Sequence, residues 1–181
     1  MSKGPRIAWG ITGAGHFLEQ CVEMLLAHGQ ADVFLSGAGA QVLKMYGLYD
    51  RLRKCGHTLF LDEDAASFPA VRTYGGRYDL VVIAPATSNT VAKMVCGISD
   101  GLVTNLFASA GKCRLPVVVL PCDVSGEVTS TTHRGKEVRI YVRPVDAQNT
   151  QALSRLEGVR VVHSPQQLRE VIAACPRTCG Q

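Results

Sequence analysis

The chain has 181 residues, of which 46% are hydrophobic and 19% are charged. This apolar content is enough to bury the core of one domain and excludes an intrinsically disordered chain. The formal net charge is +4, but the 19 Lys and Arg residues are scattered among 15 Asp and Glu without a basic run. We therefore expect no nucleic-acid partner, and the mild positive surplus suits an anionic small molecule instead.

The sequence shows no signal peptide and no apolar run of about 18 residues, so we expect a cytoplasmic protein that does not engage a membrane. Its seven cysteines are odd in number and lie mostly in apolar stretches, which favours free thiols in a reducing compartment. Cys175 and Cys179 could form half of a metal site. Because no second pair of ligands accompanies them, we predict that the protein binds no metal.

Short apolar runs alternate with helical patterns along the chain. Runs without a charge are typical of strands buried on both faces of a parallel sheet, and the strongest run, residues 80–84, should be central. In chain order, the predicted elements are a strand at 6–11, a helix with Phe17, Leu18, Cys21, Met24 and Leu25 on one face that ends at Gly29, a strand at 32–35, a helix with Val42, Leu43 and Tyr46, strands at 58–61 and 80–84, helices at 89–96 and 101–109, a strand at 117–120, a helix at 146–156, a strand at 159–162 and a helix at 165–173. This alternation predicts an α/β fold with a doubly wound, Rossmann-like parallel sheet flanked by helices.

Two segments depart from the alternation. Residues 62–76 contain Pro69 and two adjacent glycines, which predicts a mobile surface connection. Residues 127–132 and 137–143 alternate polar and apolar side chains around an Arg-Gly turn, which predicts a β-hairpin. We interpret this hairpin as an appendage of a single domain that covers residues 1–181.

Polar, glycine-bearing turns follow the strands at 6–11, 32–35 and 80–84. Ligands of an open α/β sheet bind outside the carboxyl ends of its strands, so these turns are the expected site. The first turn, GITGAG, lets backbone N–H groups approach a phosphate at a helix N-terminus. It matches neither GxGxxG nor a phosphate loop, and Ser36 stands where a dinucleotide site would have an acidic residue. Glycines that only permit a tight turn are the alternative.

The turn after residues 80–84 is more informative. It reads APATSNT and places the hydrogen-bonding side chains of Thr87, Ser88, Asn89 and Thr90 at a helix N-terminus. A helix needs only one N-cap residue, so these polar groups exceed what capping demands. We therefore expect them to bind an oxyanion or the polar edge of a ring.

These turns carry a resemblance to a known family. The first turn, the Ser36 loop and above all PATSNTVAKMVCGISDGLVTNL at residues 85–106 resemble the flavoprotein family of cysteine decarboxylases, phosphopantothenoylcysteine decarboxylases and flavin prenyltransferases. The match covers residues 6–123 and continues beyond Thr90 at the family spacing with Lys93, Gly97, Ile98, Asp100 and Asn105.

The resemblance implies bound flavin mononucleotide (FMN) rather than NAD, in a homo-oligomer built from trimers with the flavin near subunit contacts. Hydroxyls and backbone N–H groups would hold the phosphate without a lysine, each charge-assisted hydrogen bond contributing about 1.5–3 kcal/mol. The residues that the resemblance assigns to FMN are Thr12, Gly13, Ala14, Gly15, Ser36, Ala86, Thr87, Ser88, Asn89 and Thr90.

The sequence departs from two branches of this family. Val71 stands where the decarboxylases carry a catalytic histidine, and Pro121, Cys122 and Asp123 occur where the prenyltransferases place an arginine. The chain is instead most similar to the archaeoflavoproteins and dihydromethanopterin reductases, over nearly its full length. The stretches that support this are AWGITGAGHFL, SGAGAQVLKMYGLYDRL and VRPVDAQNTQALSRLEGVRVVHSPQQL.

This group implies an oxidoreductase that passes hydride through FMN to dihydromethanopterin, giving the one-carbon carrier tetrahydromethanopterin. The chain lacks the iron–sulfur domain of some archaeal members, so NADPH or NADH is the expected reductant. An electron-transfer flavoprotein supplied by ferredoxin is the main alternative, and an FMN-dependent decarboxylase is a weaker one.

The pterin also needs a proton, and the candidate donors are His16, Tyr46 and Asp123 because each lies beside a turn at the expected site. Each has an alternative role: His16 at the first helix turn or in solvent, Tyr46 in the core, and Asp123 as an ordinary turn residue. Lys93 could offset charge on reduced flavin or be a solvated helix lysine.

Overall fold

The structure, a computed structural model, describes residues 4–29, 31–62 and 68–177. The strands are β1 (Ile7–Ile11), β2 (Asp32–Leu35), β3 (Thr58–Leu61), β4 (Leu80–Ala86), β5 (Val117–Pro121), β6 (Glu127–Thr131), β7 (Glu137–Tyr141) and β8 (Val159–Val161). The helices are α1 (Leu18–His28), α2 (Gly37–Met45), α3 (Tyr49–Lys54), α4 (Ser88–Val95), α5 (Leu102–Lys112), α6 (Pro144–Leu153) and α7 (Pro165–Ala174), with a 3₁₀ helix at Phe68–Gly75.

Within the described residues, six parallel strands form one sheet in the order β3-β2-β1-β4-β5-β8. This is the doubly wound order, in which the chain reverses direction across the sheet between β1 and β4, and it confirms the predicted α/β fold. Strands β6 and β7 pair antiparallel as a separate hairpin, which was also predicted.

The central strands are buried along their whole length because helices cover both faces of the sheet. Every residue of β1, β4 and β5 is buried. Helices α1, α2 and α7 pack on one face around Trp9, and α4, α5 and α6 pack on the other around Phe34. The indole Nε1 of Trp9 donates to the Ala84 carbonyl at 2.7 Å, which satisfies the buried donor within the sheet.

The predicted loop at 62–76 is wrong where the structure describes it. Residues Phe68–Gly75 form a 3₁₀ helix against α5, and Ala70 and Thr73 in this helix are almost fully buried. A short 3₁₀ segment lacks the 3.6-residue period, and its glycines and proline indicate a loop instead. Residues 63–67 of the predicted connection lie outside the described residues.

The helix predicted with Val42, Leu43 and Tyr46 is α2, and a further helix, α3, follows it that was not predicted. Helix α2 ends at Met45 and α3 begins at Tyr49. Gly47 between them has a φ of +68°, a conformation that favours glycine and ends the helical path. The remaining predicted strands and helices are present, with ends that differ by a few residues; the strand predicted at 80–84, for example, continues to Ala86.

The cysteines differ in burial. Those that the structure describes are free thiols, and of these Cys21 and Cys122 are buried whereas Cys55 and Cys96 are exposed. Cys179 lies outside the described residues, so the pair it would form with Cys175 is not described.

Among the described residues, no group of His, Cys, Asp and Glu is arranged to hold a metal ion. None of the described helices is long and apolar enough to cross a membrane.

Candidate functional site

The polar turns after β1, β2 and β4 line one cavity of about 490 Å³ at the C-terminal edge of the sheet. We call it the turn cavity. Among the residues assigned to FMN, those that line it are Thr12, Gly13, Ser36, Thr87, Ser88, Asn89 and Thr90. The cavity lies where the chain reverses direction across the sheet, because β1 pairs with β2 on one side and with β4 on the other.

Thr12 ties two of these turns together. Its hydroxyl donates to the Pro85 carbonyl at 2.8 Å and accepts from the Thr87 backbone N–H at 2.9 Å. The residue is only 1% exposed. Its hydroxyl therefore joins the turn after β1 to the turn after β4, and we interpret Thr12 as a residue that holds the cavity in shape.

Three helices begin at the turn cavity within the described residues. The side chain of Ser36 caps α2 by accepting from Gly39 N–H at 3.0 Å, and that of Thr87 caps α4 by accepting from Thr90 N–H at 3.3 Å. Helix α5 begins at the same cavity after Gly101. The first turn of a helix presents N–H groups without intrahelical partners and the positive end of its dipole, so this convergence favours an anion.

Glycines allow the turns to approach each other closely. A Cβ on Gly13 would lie 2.6 Å from the Cβ of Ala38 in the first turn of α2. A Cβ on Gly39 would lie 2.5 Å from the Ile11 carbonyl oxygen. A Cβ on Gly37 would meet nothing within 4 Å. The wall of the cavity between β1 and α2 is thus bare backbone, with open space beside Gly37.

One acidic residue of this cavity, Asp62, was not singled out by the sequence patterns. Asp62, which follows β3, lines it and accepts from the Leu102 N–H at the start of α5 at 2.7 Å. The same rule that selected the other strand ends would have found Asp62. Lys93, which the sequence offered either as a group that offsets charge on reduced flavin or as a solvated helix lysine, also lines the cavity, in an ion pair with Asp100 whose oxygen lies 2.7 Å from the ammonium. This ion pair lowers the pKa of Asp100.

A second cavity of about 370 Å³ lies between the first turn and the hairpin, and we call it the hairpin cleft. It shares Gly13, Thr87 and Ser88 with the turn cavity, so the two spaces meet along these residues. Ala14 and Gly15, which the resemblance assigned to FMN, line the hairpin cleft rather than the turn cavity. Ala86 is fully buried in β4 and lines neither space.

The proposed proton donors His16, Tyr46 and Asp123 all line the hairpin cleft. Burial lowers the pKa of His16 below its ordinary value of 6.5, and the nearby Asp123 carboxylate opposes this shift. Burial also raises the pKa of the neighbouring Cys122 thiol, with the charge of Asp123 acting in the same direction. At neutral pH, His16 is therefore mainly uncharged and Cys122 is a thiol rather than a nucleophilic thiolate.

Tyr46 connects α2 to the hairpin. Its hydroxyl donates to the Thr131 carbonyl at 2.9 Å, and its ring lies edge-on to that of His133 with the centroids 6.2 Å apart. The phenolic proton is thus already engaged in a hydrogen bond. We interpret Tyr46 as a residue that holds the hairpin over the cleft, which leaves His16 as the more suitable proton donor.

The sequence and the fold match those of known proteins. A model of the Flavoprotein family matches residues 1–179. The chain belongs to this family. The flavoprotein is 31% identical to the dihydromethanopterin reductase (acceptor) of Methanosarcina mazei, over 92% of this chain and 98% of that protein. It is 37% identical to an uncharacterised protein of Methanocaldococcus jannaschii, over 92% of this chain and 94% of that protein.

The flavoprotein also resembles a solved structure of a redox protein. Burkholderia xenovorans DmrB in complex with FMN, described as a cubic protein cage for redox transfer, has a TM-score of 0.84 and 38% identity, with 95% of each chain covered. These comparisons confirm the resemblance to the flavoproteins and, within them, to the dihydromethanopterin reductases.

Proposed function

We propose that this flavoprotein binds FMN in the turn cavity and passes hydride from NADPH or NADH through it to dihydromethanopterin. The observation that carries the proposal is the convergence of the N-termini of α2, α4 and α5 on one hydroxyl-lined cavity. Support comes from the relatives, because DmrB is described with FMN and the Methanosarcina mazei protein is a dihydromethanopterin reductase.

The turn cavity suits a phosphorylated cofactor in both size and chemistry. Its volume of about 490 Å³ falls in the range of about 300–1,000 Å³ that is usual for cofactor sites. Lys93 is paired with Asp100, so N–H groups and hydroxyls would hold the phosphate by charge-assisted hydrogen bonds. In this proposal, Ser36 and the first turn of α2 hold the phosphate, and Gly13, Thr87 and Ser88 lie at the border with the hairpin cleft, where the substrate binds.

FMN held in the turn cavity would supply the redox chemistry, which is hydride acceptance from the nicotinamide and hydride donation to the pterin. The protein positions the substrate and excludes water. Tyr46 anchors the hairpin through Thr131, and the hairpin closes one side of the cleft. His16 delivers the proton that the reduced pterin needs, because it lines the cleft and its phenolic neighbour Tyr46 already donates elsewhere.

The role of His16 predicts a pH dependence. Because burial lowers its pKa from 6.5, the protonated form is scarce at neutral pH and becomes abundant only as the pH falls below that value. We therefore expect kcat/KM for dihydromethanopterin to rise as the pH is lowered from 7.5 towards 5.5, measured with enzyme whose flavin has been reduced beforehand. A His16→Gln variant should lose this rise, and an unchanged pH profile in the variant would exclude His16 as the donor.

Ser36 offers a matched test of the FMN site. Ser36 and Ser164 are both N-caps whose hydroxyls accept a backbone N–H, at 3.0 and 3.2 Å, but only Ser36 lines the turn cavity. Either serine-to-alanine change should lower the free energy of unfolding by about 0.5–2 kcal/mol. Ser36→Ala should also weaken FMN binding about tenfold, since one charge-assisted hydrogen bond is worth about 1.5–3 kcal/mol.

Calorimetric titration of FMN into the apoprotein measures this difference. Ser164→Ala should bind FMN as the parent protein does. Equal losses of affinity in both variants would show that the effect comes from stability alone, and unchanged affinity in Ser36→Ala would remove this serine from the phosphate site.

Hydride transfer is tested by stopped-flow absorbance under anaerobic conditions. NADPH or NADH should bleach the flavin absorbance, and dihydromethanopterin should then restore it with formation of tetrahydromethanopterin. Reduced protein that is oxidised by electron carriers but not by dihydromethanopterin would instead support the electron-transfer alternative.

Val71, which stands in place of the decarboxylase histidine, is an aliphatic residue that is 51% exposed, so nothing at this position supports decarboxylation.

We also propose that the protein assembles from trimers. DmrB is described as a cubic cage, and every cubic arrangement of identical subunits contains three-fold axes. Sedimentation velocity should therefore give a mass that is a multiple of three chains, and a monomer at micromolar concentration would contradict the proposal.

A further inference from the structure

The hairpin cleft combines aliphatic side chains with a carboxylate, as a site for a polar ring does. Val138 and Ile140 of the hairpin line one side of it, and Ile140 is 41% exposed. Cys122, which directly follows β5, also lines it. A planar heterocycle could pack against the aliphatic side chains while its polar edges reach Asp123 and the hydroxyl-bearing residues of the cleft.

Asp123 is an acidic residue that faces this cleft. Its backbone carbonyl accepts from the Thr150 hydroxyl at 3.3 Å, which fixes the backbone beside α6. Arg143, which precedes α6, pairs with Asp146, to which its guanidinium donates two hydrogen bonds of 2.8 Å. In the described part of the chain, the Asp123 carboxylate makes no hydrogen bond, so its oxygens are available to a ligand in the cleft.

A carboxylate only accepts hydrogen bonds, and its two oxygens match two parallel N–H donors, as they do with an arginine guanidinium. The 2-amino-4-oxopyrimidine edge of a pterin presents the same arrangement, an amino group next to a ring N–H. A nicotinamide has a single amide NH₂ and cannot offer this pair. Of the ring systems in the proposed reaction, the pterin therefore complements Asp123 best.

We propose that Asp123 determines the substrate specificity of the hairpin cleft by binding the 2-amino-4-oxopyrimidine edge of a pterin through both carboxylate oxygens. This inference rests on the proposed function and assigns Asp123 to substrate binding rather than to proton delivery. His16, which also lines the hairpin cleft, remains available as the donor. Glu19 is less suitable, because it is exposed and lines the neighbouring groove beside α1 rather than the hairpin cleft.

The experiment compares two ligands that differ at this edge. Lumazine has the ring system of pterin with a carbonyl in place of the 2-amino group. It therefore lacks the amino donor and turns an oxygen towards the carboxylate. Isothermal titration of the FMN-loaded protein should give at least tenfold tighter binding of pterin than of lumazine. Oxidised pterin and oxidised flavin do not react, so binding is measured without turnover.

Variants of Asp123 then test whether this residue causes the preference for pterin over lumazine. Asp123→Asn keeps the size of the side chain but replaces one acceptor by a donor, and it should reduce the pterin-to-lumazine affinity ratio to within threefold. Asp123→Ser provides a second variant with the same expectation. Glu19→Gln removes an equal charge from the neighbouring groove and should leave the ratio unchanged. The FMN content of each preparation reports whether the fold is intact.

Two results would overturn the inference: a wild-type protein that binds pterin and lumazine equally or not at all, or an Asp123→Asn variant that keeps the full ratio. The proposed function is judged separately by the oxidation of reduced protein by dihydromethanopterin. Hydride transfer without ligand discrimination would reject only the role of Asp123, whereas the absence of hydride transfer would reject the proposed function.

Discussion

Replacing Gly13 by alanine is expected to weaken FMN binding about 100-fold and to lower the free energy of unfolding by about 1–3 kcal/mol. The new Cβ would lie 2.6 Å from the Cβ of Ala38, so the turn after β1 and the first turn of α2 must separate. This movement displaces the N–H groups at the start of α2. The loss of one or two charge-assisted hydrogen bonds accounts for a change of this size. FMN titration and chemical denaturation measure the two effects.

The paired variant Gly13→Ala/Ala38→Gly tests the cause directly, since it removes the methyl group that the new Cβ meets. We expect it to recover most of the lost FMN affinity. Gly111→Ala is a control in α5, where an added Cβ meets nothing within 4 Å. It should raise the stability by about 0.4–1 kcal/mol and leave FMN binding unchanged. A double variant as weak as Gly13→Ala would show that the steric contact is not the cause.

Replacing Asp79 by alanine is expected to lower the free energy of unfolding by about 3–5 kcal/mol. The side chain of Asp79 is fully buried at the start of β4 and accepts from Arg6, just before β1, through the backbone N–H at 2.7 Å and the guanidinium at 2.8 and 3.1 Å. Its loss leaves the donors of Arg6 without their carboxylate and loosens the junction of the two central strands. Urea denaturation monitored by circular dichroism measures the change.

Glu23→Ala is the matched control for this ion pair. Glu23 and Arg51 are also 2.8 Å apart, but both side chains are at least half exposed, so the pair should contribute no more than about 1 kcal/mol. Similar effects of Asp79→Ala and Glu23→Ala would show that burial does not set the strength of these ion pairs.

These variants distinguish the roles of the two ends of the sheet. Asp79 and Arg6 lie at the N-terminal ends of β4 and β1, whereas Gly13 and Ser36 lie at the C-terminal ends of β1 and β2. We expect changes at the first pair to alter stability with little effect on FMN affinity beyond that of unfolding. Changes at the second pair should alter both. This contrast follows from the location of ligand sites in doubly wound sheets.

The amino-acid sequence alone determined the central sheet and the position of the turn cavity. Uncharged apolar runs predicted β4 and β5, and the bounds predicted for β2 and β3 agree with the structure. Such runs are informative because a strand buried on both faces admits few polar residues, which leaves a local signal. The polar side chains after β4 were equally visible, since they exceed what a helix cap requires.

Only the tertiary structure decided how the site is divided and closed. The contact of Tyr46 with Thr131 spans 85 residues, and that of Leu102 with Asp62 spans 40. Neither contact leaves a periodic pattern in the sequence. The same holds for the two separate spaces on either side of Gly13, Thr87 and Ser88. Local patterns record which side chains a segment buries, whereas the meeting of distant segments depends on how the helices and the hairpin pack.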